Sequence, residues 1–250
     1  MIPKTIHYCW FGGNPLPKSA LKCIDSWRRF FPDYEIKEWN ETNFDVNLIS
    51  YIHQAYERKK YAFVSDYARF WILYNYGGLY FDTDVEVIKP MDEIIANGPF
   101  MGVEVPADEQ MSEHPLVNPG LGLGAEPQMT FYKEVLDYYD VLQFVDEKGE
   151  IIPGTVVVHN TNVLKENGLM PINDIQEVAG ITIYPKDYFN PLDDATGRLK
   201  TTDNTRTIHW YDKTWVDNYG PIRKWSARVF HRVFGTNLSE KIKTSFTFTH

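Results

Sequence analysis

Residues 61–91 read YAFVSDYARFWILYNYGGLYFDTDVEVIKPM, and this stretch decides how the rest of the chain is arranged. Its first half spaces Phe63, Tyr67, Phe70, Trp71 and Tyr74 by threes and fours, the apolar stripe of an amphipathic helix. Gly77 and Gly78 end that helix, because glycine takes the left-handed backbone of a helix terminus without steric cost. Residues 79–88, β-branched and aromatic, are predicted as one strand. Alternation along it puts Tyr80, Asp82, Asp84 and Glu86 on one side and Phe81, Thr83, Val85 and Val87 on the other. Neighbouring carboxylates repel unless a cation or hydrogen-bond donors sit between them, so a divalent metal is the first candidate. Asp66 and Arg69, one helical turn apart, add a second charged pair to an oily helix.

Working outward, residues 4–10 read as a first strand, broken at Gly12 and Gly13, and Pro15 and Pro17 delay a helix over 18–30. Residues 34–39 form a second strand, helical segments follow, and the opening stretch supplies the third. Strand and helix in alternation predict an α/β fold with a parallel sheet covered on both faces. Such sheets bind ligands beyond the carboxyl ends of their strands, which are Trp10 with Gly12, then Asn40, then Asp82 with Asp84. Neither G-x-G-x-x-G nor G-x-x-x-x-G-K-[ST] occurs, so dinucleotide and P-loop chemistry have no support.

After Pro90 the periodicity weakens. Residues 97–128 are expected to be a long loop with an acceptor-binding or lid role. A helix is predicted over 129–145 and a buried short strand over 155–159, with Thr161 capping another helix. Residues 207–215, TIHWYDKTW, surround His209 with aromatics. His209 is either a satisfied imidazole of the core or surface, or a third ligand brought to the aspartates, a donor set that suits Mn²⁺.

The totals set bounds. A chain of 250 residues that is 43% hydrophobic can bury a sizeable core in one large domain. Its 16 Tyr, 15 Phe and 7 Trp either swell that core or line a cleft that stacks on flat or sugar-like ligands. The net charge of −9 argues against nucleic acid as a partner. Residues 220–250 nevertheless carry Arg223, Lys224, Arg228, Arg232, Lys241 and Lys243 against Glu240 alone. There Ile222, Trp225, Val229, Phe230 and Val233 share a helical face, so the tail is either a helix on an anionic membrane surface or a terminal helix packed on the domain. Cys9 and Cys23 lack metal or redox spacing and read as reduced thiols. With no secretion signal and no membrane-length apolar run, the expected location is cytoplasmic, either free or peripheral on the inner face of the cell membrane.

Four blocks together carry a resemblance: IPKTIHYCWFGG at 2–13, SDYAR at 65–69, GGLYFDTD at 77–84 and HWYDKTW at 209–215. They resemble the sugar-transferase family with the DXD motif, glycosyltransferase family 32, densely over the first ninety residues and again near 207–215. The family includes bacterial capsular polysaccharide enzymes and yeast mannosyltransferases, and its core is similar to that of the glucosylating clostridial toxins. The resemblance implies a GT-A type fold over residues 1–220, with 221–250 as the tail. It also implies a UDP-sugar donor, Mn²⁺ or Mg²⁺, and retaining transfer of a hexose or N-acetylhexosamine. The acceptor would be a glycan or lipid-linked oligosaccharide of bacterial surface polysaccharide.

Carried onto this chain, the resemblance places Trp10 on the uracil with Tyr8 nearby, and Asp66 and Arg69 on the donor sugar. Asp82, with Tyr80 of the same motif, would hold ribose and sugar hydroxyls and help at the metal. Asp84 would bind the metal directly, His209 would complete its protein ligands, and Thr214 and Trp215 would donate to the diphosphate. Thr214 stands where the family usually has Ser, and the toxins use a carboxylate where His209 stands. Two rivals accompany this reading. One is a haloacid dehalogenase-type phosphatase with Asp82 as nucleophile, Asp84 as acid or base, and Asp193 and Asp194 as later metal ligands. The other is a carbohydrate-binding protein without turnover.

Overall fold

The computed structural model describes residues 1–109, 112–212 and 228. Its elements in chain order are β1 (Thr5–Cys9), α1 (Lys18–Phe30), β2 (Glu35–Trp39), α2 (Ser50–Glu57), α3 (Tyr61–Tyr76), β3 (Gly78–Tyr80) and β4 (Val85–Val87). They continue as α4 (Asp92–Ala96), β5 (Phe100–Val105), β6 (Leu116–Asn118), β7 (Leu123–Ala125), α5 (Thr130–Asp140) and α6 (Val156–Glu166). Last come β8 (Gln176–Val178), β9 (Ile181–Tyr184), α7 (Lys186–Phe189) and β10 (Thr207–His209).

The central sheet has the order β2-β1-β3-β7-β5-β9-β8, with β6 also paired to β5. β1 is parallel to β2 and β3, and β9 to β5, while β7 runs antiparallel between β3 and β5. Five of the eight strands therefore share one direction, with β6, β7 and β8 opposed. Alternate residues along each strand feed opposite faces. Ile6, Tyr8, Leu79 and Phe100 pack with Ile24, Trp27 and Phe31 of the α1 side. Cys9, Tyr80, Met101 and Val103 pack with Phe70, Val135 and Leu164 of α3, α5 and α6. A mostly parallel sheet flanked by helices is the α/β architecture that the GT-A expectation describes.

Most of the aromatic surplus goes into this core: Trp27, Trp39, Tyr80, Tyr132, Tyr139 and Phe70 are among the largest fully buried side chains. Cys9 and Cys23 are both free and buried. No helix among the described residues is long and apolar enough to cross a membrane.

Several expectations are corrected. The predicted strand over 79–88 is two strands in two sheets: β3 lies in the central sheet, and β4 pairs antiparallel with β10. Between them the Asp82-Thr83-Asp84 triplet turns the chain, with Val85 N donating to Asp82 O at 3.0 Å, as Asp-rich triplets readily do. Residues 97–128 hold β5, β6 and β7 rather than a long loop. The glycines there mark tight packing, since a Cβ on Gly102 or Gly124 would lie 2.5 Å from Phe189 or 2.4 Å from Phe100. The valine run at 156–158 begins α6, not a strand. Val156, Asn160, Val163 and Leu164 are buried on one helical face, and that burial outweighs β-propensity. Thr155 is the cap; Thr161 sits inside the helix, its hydroxyl accepting from Val117 N at 2.9 Å. The helix predicted over 129–145 stops at Asp140. Of the tail only Arg228 is described: it donates to the Asp194 backbone carbonyl at 3.1 Å and pairs with the Asp194 carboxylate at 3.3 Å.

Candidate active site

Two charged clusters flank the turn between β3 and β4. The first is built on α3, whose third turn delivers Arg69 under the end of β3. The Arg69 side chain is only 3% exposed. It donates through Nη2 to Asp66 Oδ1 at 2.8 Å, through Nε to Ser65 O at 3.1 Å, and through Nη1 to Asp82 Oδ2 at 3.4 Å. Its guanidinium also lies 4.9 Å from the Tyr80 ring centroid, and Tyr80 OH donates to Asp82 Oδ1 at 3.2 Å. The ion pair expected from the spacing of Asp66 and Arg69 is thus present, buried, and shared with Asp82.

The two carboxylates differ in environment. Asp82 is 28% exposed and Asp66 only 11%. Burial pushes Asp66 up to about 7, partly opposed by Arg69 and reinforced by the Asp82 charge. Burial opposes the charge of Arg69 too, but Asp82 and Asp66 offset it and keep the guanidinium protonated. Asp82 is the partner that faces outward. Gly120 approaches it so closely that a Cβ there would stand 1.9 Å from Asp82 Oδ2.

The second cluster joins β4 to β10. Antiparallel pairing sets His209 opposite Val85, and His209 Nε2 faces Asp84 Oδ1 at 3.2 Å. Asp84 Oδ2 accepts from Asp212 N at 2.8 Å, and Asp84 O accepts from Trp210 N at 2.9 Å. Burial alone would raise Asp84, but His209 and the backbone N–H groups of Asp212 and of Asp84 itself hold it below the usual carboxylate range. Burial would lower His209, yet Asp84, Asp82 and Glu104 raise it to about 9. Its Nδ1 is buried without a hydrogen-bond partner.

Asp82 and Asp84 therefore do not line one strand face, and the difference has a physical cause: the turn sends the first carboxylate to Arg69 and the second to His209. Among the described residues no three acidic, His or Cys side chains are gathered closely enough to hold a metal ion. Asp84 and His209 still fit a divalent ion as a pair. Ligands at right angles with bonds of about 2.1 Å stand about 3 Å apart, close to the separation seen.

Tyr8 and Trp10 sit at the end of β1. Tyr8 is buried, with OH donating to Glu38 Oε2 at 2.7 Å, and the half-buried Trp10 donates from Nε1 to Asn14 O at 2.6 Å. Thr214 and Trp215 lie outside the described residues. Glu104, Asn118 and Asn190 had no sequence signal of function, and Tyr211 had only its place in the 209–215 block. Tyr211 packs against His209 with ring centroids 4.1 Å apart and planes tilted by 42°. Its OH donates to Glu104 Oε1 at 3.0 Å and accepts from Asn190 Nδ2 at 2.6 Å. Only the aromatic cluster around His209 hinted at this network. In the phosphatase reading Asp193 would be a metal ligand; its carboxylate instead accepts from Thr196 N and Oγ1 within its own turn.

Two curated relatives from Schizosaccharomyces pombe (strain 972 / ATCC 24843) match part of the chain. Inositol phosphoceramide mannosyltransferase 1 is 32% identical over 111 residues, 40% of this chain and 33% of the relative. Inositol phosphoceramide mannosyltransferase 3 is 30% identical over 102 residues, 38% and 27% respectively. The chain thus spans about a third of the length of these relatives. Among solved structures, the PaToxG glycosyltransferase is similar with a TM-score of 0.47 and 19% identity, covering 66% of this chain and 69% of that one. The galactosyltransferase LgtC with donor and acceptor sugar analogs has a TM-score of 0.42 and 15% identity, covering 90% and 95%. Residues 17–101, which hold α1, α3, Asp66, Arg69 and the Asp82-Thr83-Asp84 turn, match the family described as the glycosyltransferase sugar-binding region containing the DXD motif.

Proposed function

We propose that the chain is a retaining, metal-dependent glycosyltransferase that moves a hexose or N-acetylhexosamine from a UDP-sugar to a hydroxyl of a glycan or lipid-linked oligosaccharide. One observation carries this reading: within the family-matched stretch, a buried Arg69 is held between Asp66 and the outward-facing Asp82. That arrangement offers a fixed carboxylate to sugar and ribose hydroxyls, and its orientation costs nothing further when the donor arrives.

Asp84 and His209 would hold the divalent ion, Mn²⁺ or Mg²⁺, which when bound acts as a Lewis acid toward the charge developing on the departing diphosphate. The chain's own groups do the rest. Asp82 accepts hydrogen bonds from the donor, and Arg69 keeps that carboxylate aimed. Asp66, buried behind Arg69, accepts from its guanidinium and holds it in place. The anomeric carbon becomes oxocarbenium-like, and the nearby carboxylates stabilise it. The acceptor hydroxyl attacks on the face the diphosphate leaves, and the departing phosphate takes its proton.

The names of the fission yeast relatives support a lipid-borne acceptor and add a mannose donor to those worth trying. A cytoplasmic setting in surface polysaccharide synthesis, with the tail at a membrane surface, goes with the same reading. The test is to incubate the protein with Mn²⁺ and a panel of UDP-sugars and nucleoside-diphosphate mannose, measuring release of nucleoside diphosphate. Release from one donor, increased by acceptor, is expected. Sugar binding with no release from any donor would select the carbohydrate-binding reading instead.

A further inference from the structure

Glu104 sits at an irregularity of the sheet. Gly102 pairs with Asn118 and Val103 with Val117, but Val105 then pairs with Leu116, so Glu104 is the extra residue of a β-bulge. Bulges re-aim a side chain out of the pleat's alternation and bend the strand. Here Val103 and Val105 are both buried, and Glu104 between them is half-buried with both carboxylate oxygens engaged. Oε1 accepts from Tyr211 OH at 3.0 Å and Oε2 accepts from Asn118 Nδ2 at 3.2 Å.

Each partner leads to a different half of the site. Tyr211 packs its ring against His209, and it does so at φ 52°, a left-handed conformation that a non-glycine residue adopts only when its surroundings hold it. The hydroxyl bonds to Glu104 and Asn190 hold it there. On the other side, Asn118 Oδ1 accepts from Gly120 N at 2.6 Å, and Gly120 O accepts from Asp82 N at 3.1 Å. One carboxylate is thereby hydrogen-bonded to both the residue that backs His209 and the residue that fixes the Asp82 turn.

We propose that Glu104 is a positioning residue that couples the two halves of the site, setting His209 through Tyr211 and Asp82 through Asn118 and Gly120. The inference rests on the metal and donor reading given above. Glutamine at 104 keeps both contacts only by presenting its oxygen to Asn118 and its NH₂ to the Tyr211 oxygen, which already accepts from Asn190 Nδ2, so the hydroxyl proton of Tyr211 loses its acceptor and the negative charge is gone. Tyr211→Phe removes that arm without changing any charge.

The experiment titrates Mn²⁺ against the full chain and its E104Q, Y211F and double variants, following free Mn²⁺ by electron paramagnetic resonance, with unfolding midpoints measured alongside. Loss of a partner that orients a ligand weakens metal binding by about 10–100-fold. Each single variant is expected to lose affinity in that range while remaining folded, and the double variant to be no weaker than the poorer single one, because both act along one path. Wild-type affinity in E104Q, or losses that multiply in the double variant, would overturn the proposal. A purely structural role would shift the unfolding midpoint and leave the Kd of the folded protein alone, which also counts against it. If the wild-type protein bound no Mn²⁺, this proposal and the metal reading would fall together; if it bound normally and E104Q did too, only this one would.

Discussion

Asp82 and Asp84, two residues apart in one triplet, face different partners: Arg69 takes the first at 3.3 Å and His209 takes the second at 3.2 Å. The two halves of the motif therefore do different work. Asp82 belongs to a carboxylate and guanidinium array with a solvent-facing edge, and Asp84 belongs to a buried pair with an imidazole.

The array predicts unequal costs of substitution. Removing the guanidinium in Arg69→Met strips the buried Asp66 and the Asp82 edge of their shared donor and is expected to cost about 3 kcal/mol or more of stability. Asp66→Asn should cost under about 1 kcal/mol, because burial already favours the neutral form at this position and the amide oxygen can still accept from Arg69. Urea unfolding of both variants checks this, and equal losses would contradict the arrangement.

Gly120→Ala should separate activity from stability. The added methyl would collide with Asp82 Oδ2 and press on Asn118 Oδ1 at 3.0 Å. Asp82 is exposed enough to swing away, so the unfolding midpoint should change little while kcat/KM falls by about 10-fold or more. A wild-type kcat/KM in G120A would mean that the position of the Asp82 carboxylate does not matter.

A pH dependence of stability follows from His7, at the join of β1, β2 and α3. Its Nδ1 accepts from Trp39 Nε1 at 3.1 Å, so Nε2 carries the proton and donates to Gly77 O at 3.0 Å. Burial, with a smaller contribution from Lys37, lowers this imidazole to about 4 from an ordinary 6.5. The unfolded chain thus binds a proton between those values that the folded chain refuses, so this contribution to stability is complete above pH 6.5 and is lost as pH falls toward 4. The full loss is about 3 kcal/mol. Asp66, raised in the folded state, acts in the opposite sense over the same range, so the comparison needs a variant. His7→Gln, which can keep both hydrogen bonds, should unfold with a shallower acid dependence than wild type in this window. Identical pH profiles would contradict a buried neutral His7.

Much of this fold was legible from residues 61–91. The apolar spacing of α3, its glycine stop and the buried Asp66–Arg69 pair all follow from local rules of helix geometry. The first two strands and α1 were equally plain, because turn residues punctuate them. The strand across 79–88 was misread because alternation is a local signal, whereas the break at Asp82 depends on which distant strands are available. β3 finds β1 and β7, and β4 finds β10, more than a hundred residues later. The same holds for α6, where burial overrode a valine run. Glu104 was illegible for a related reason: a bulge exists only between two paired strands, and no residue of β5 announces it.

The central claim is that the turn at Asp82 and Asp84, closed by His209, forms a metal-dependent donor site. The most direct measurement is the rate of nucleoside diphosphate release from the active donor by wild type and Asp84→Asn, each with Mn²⁺, with chelator, and with Mn²⁺ restored. Chelator should abolish wild-type release, Mn²⁺ should restore it, and D84N should be slower by about 100-fold or more at saturating Mn²⁺. Release that is indifferent to chelator, or intact in D84N, would contradict the account.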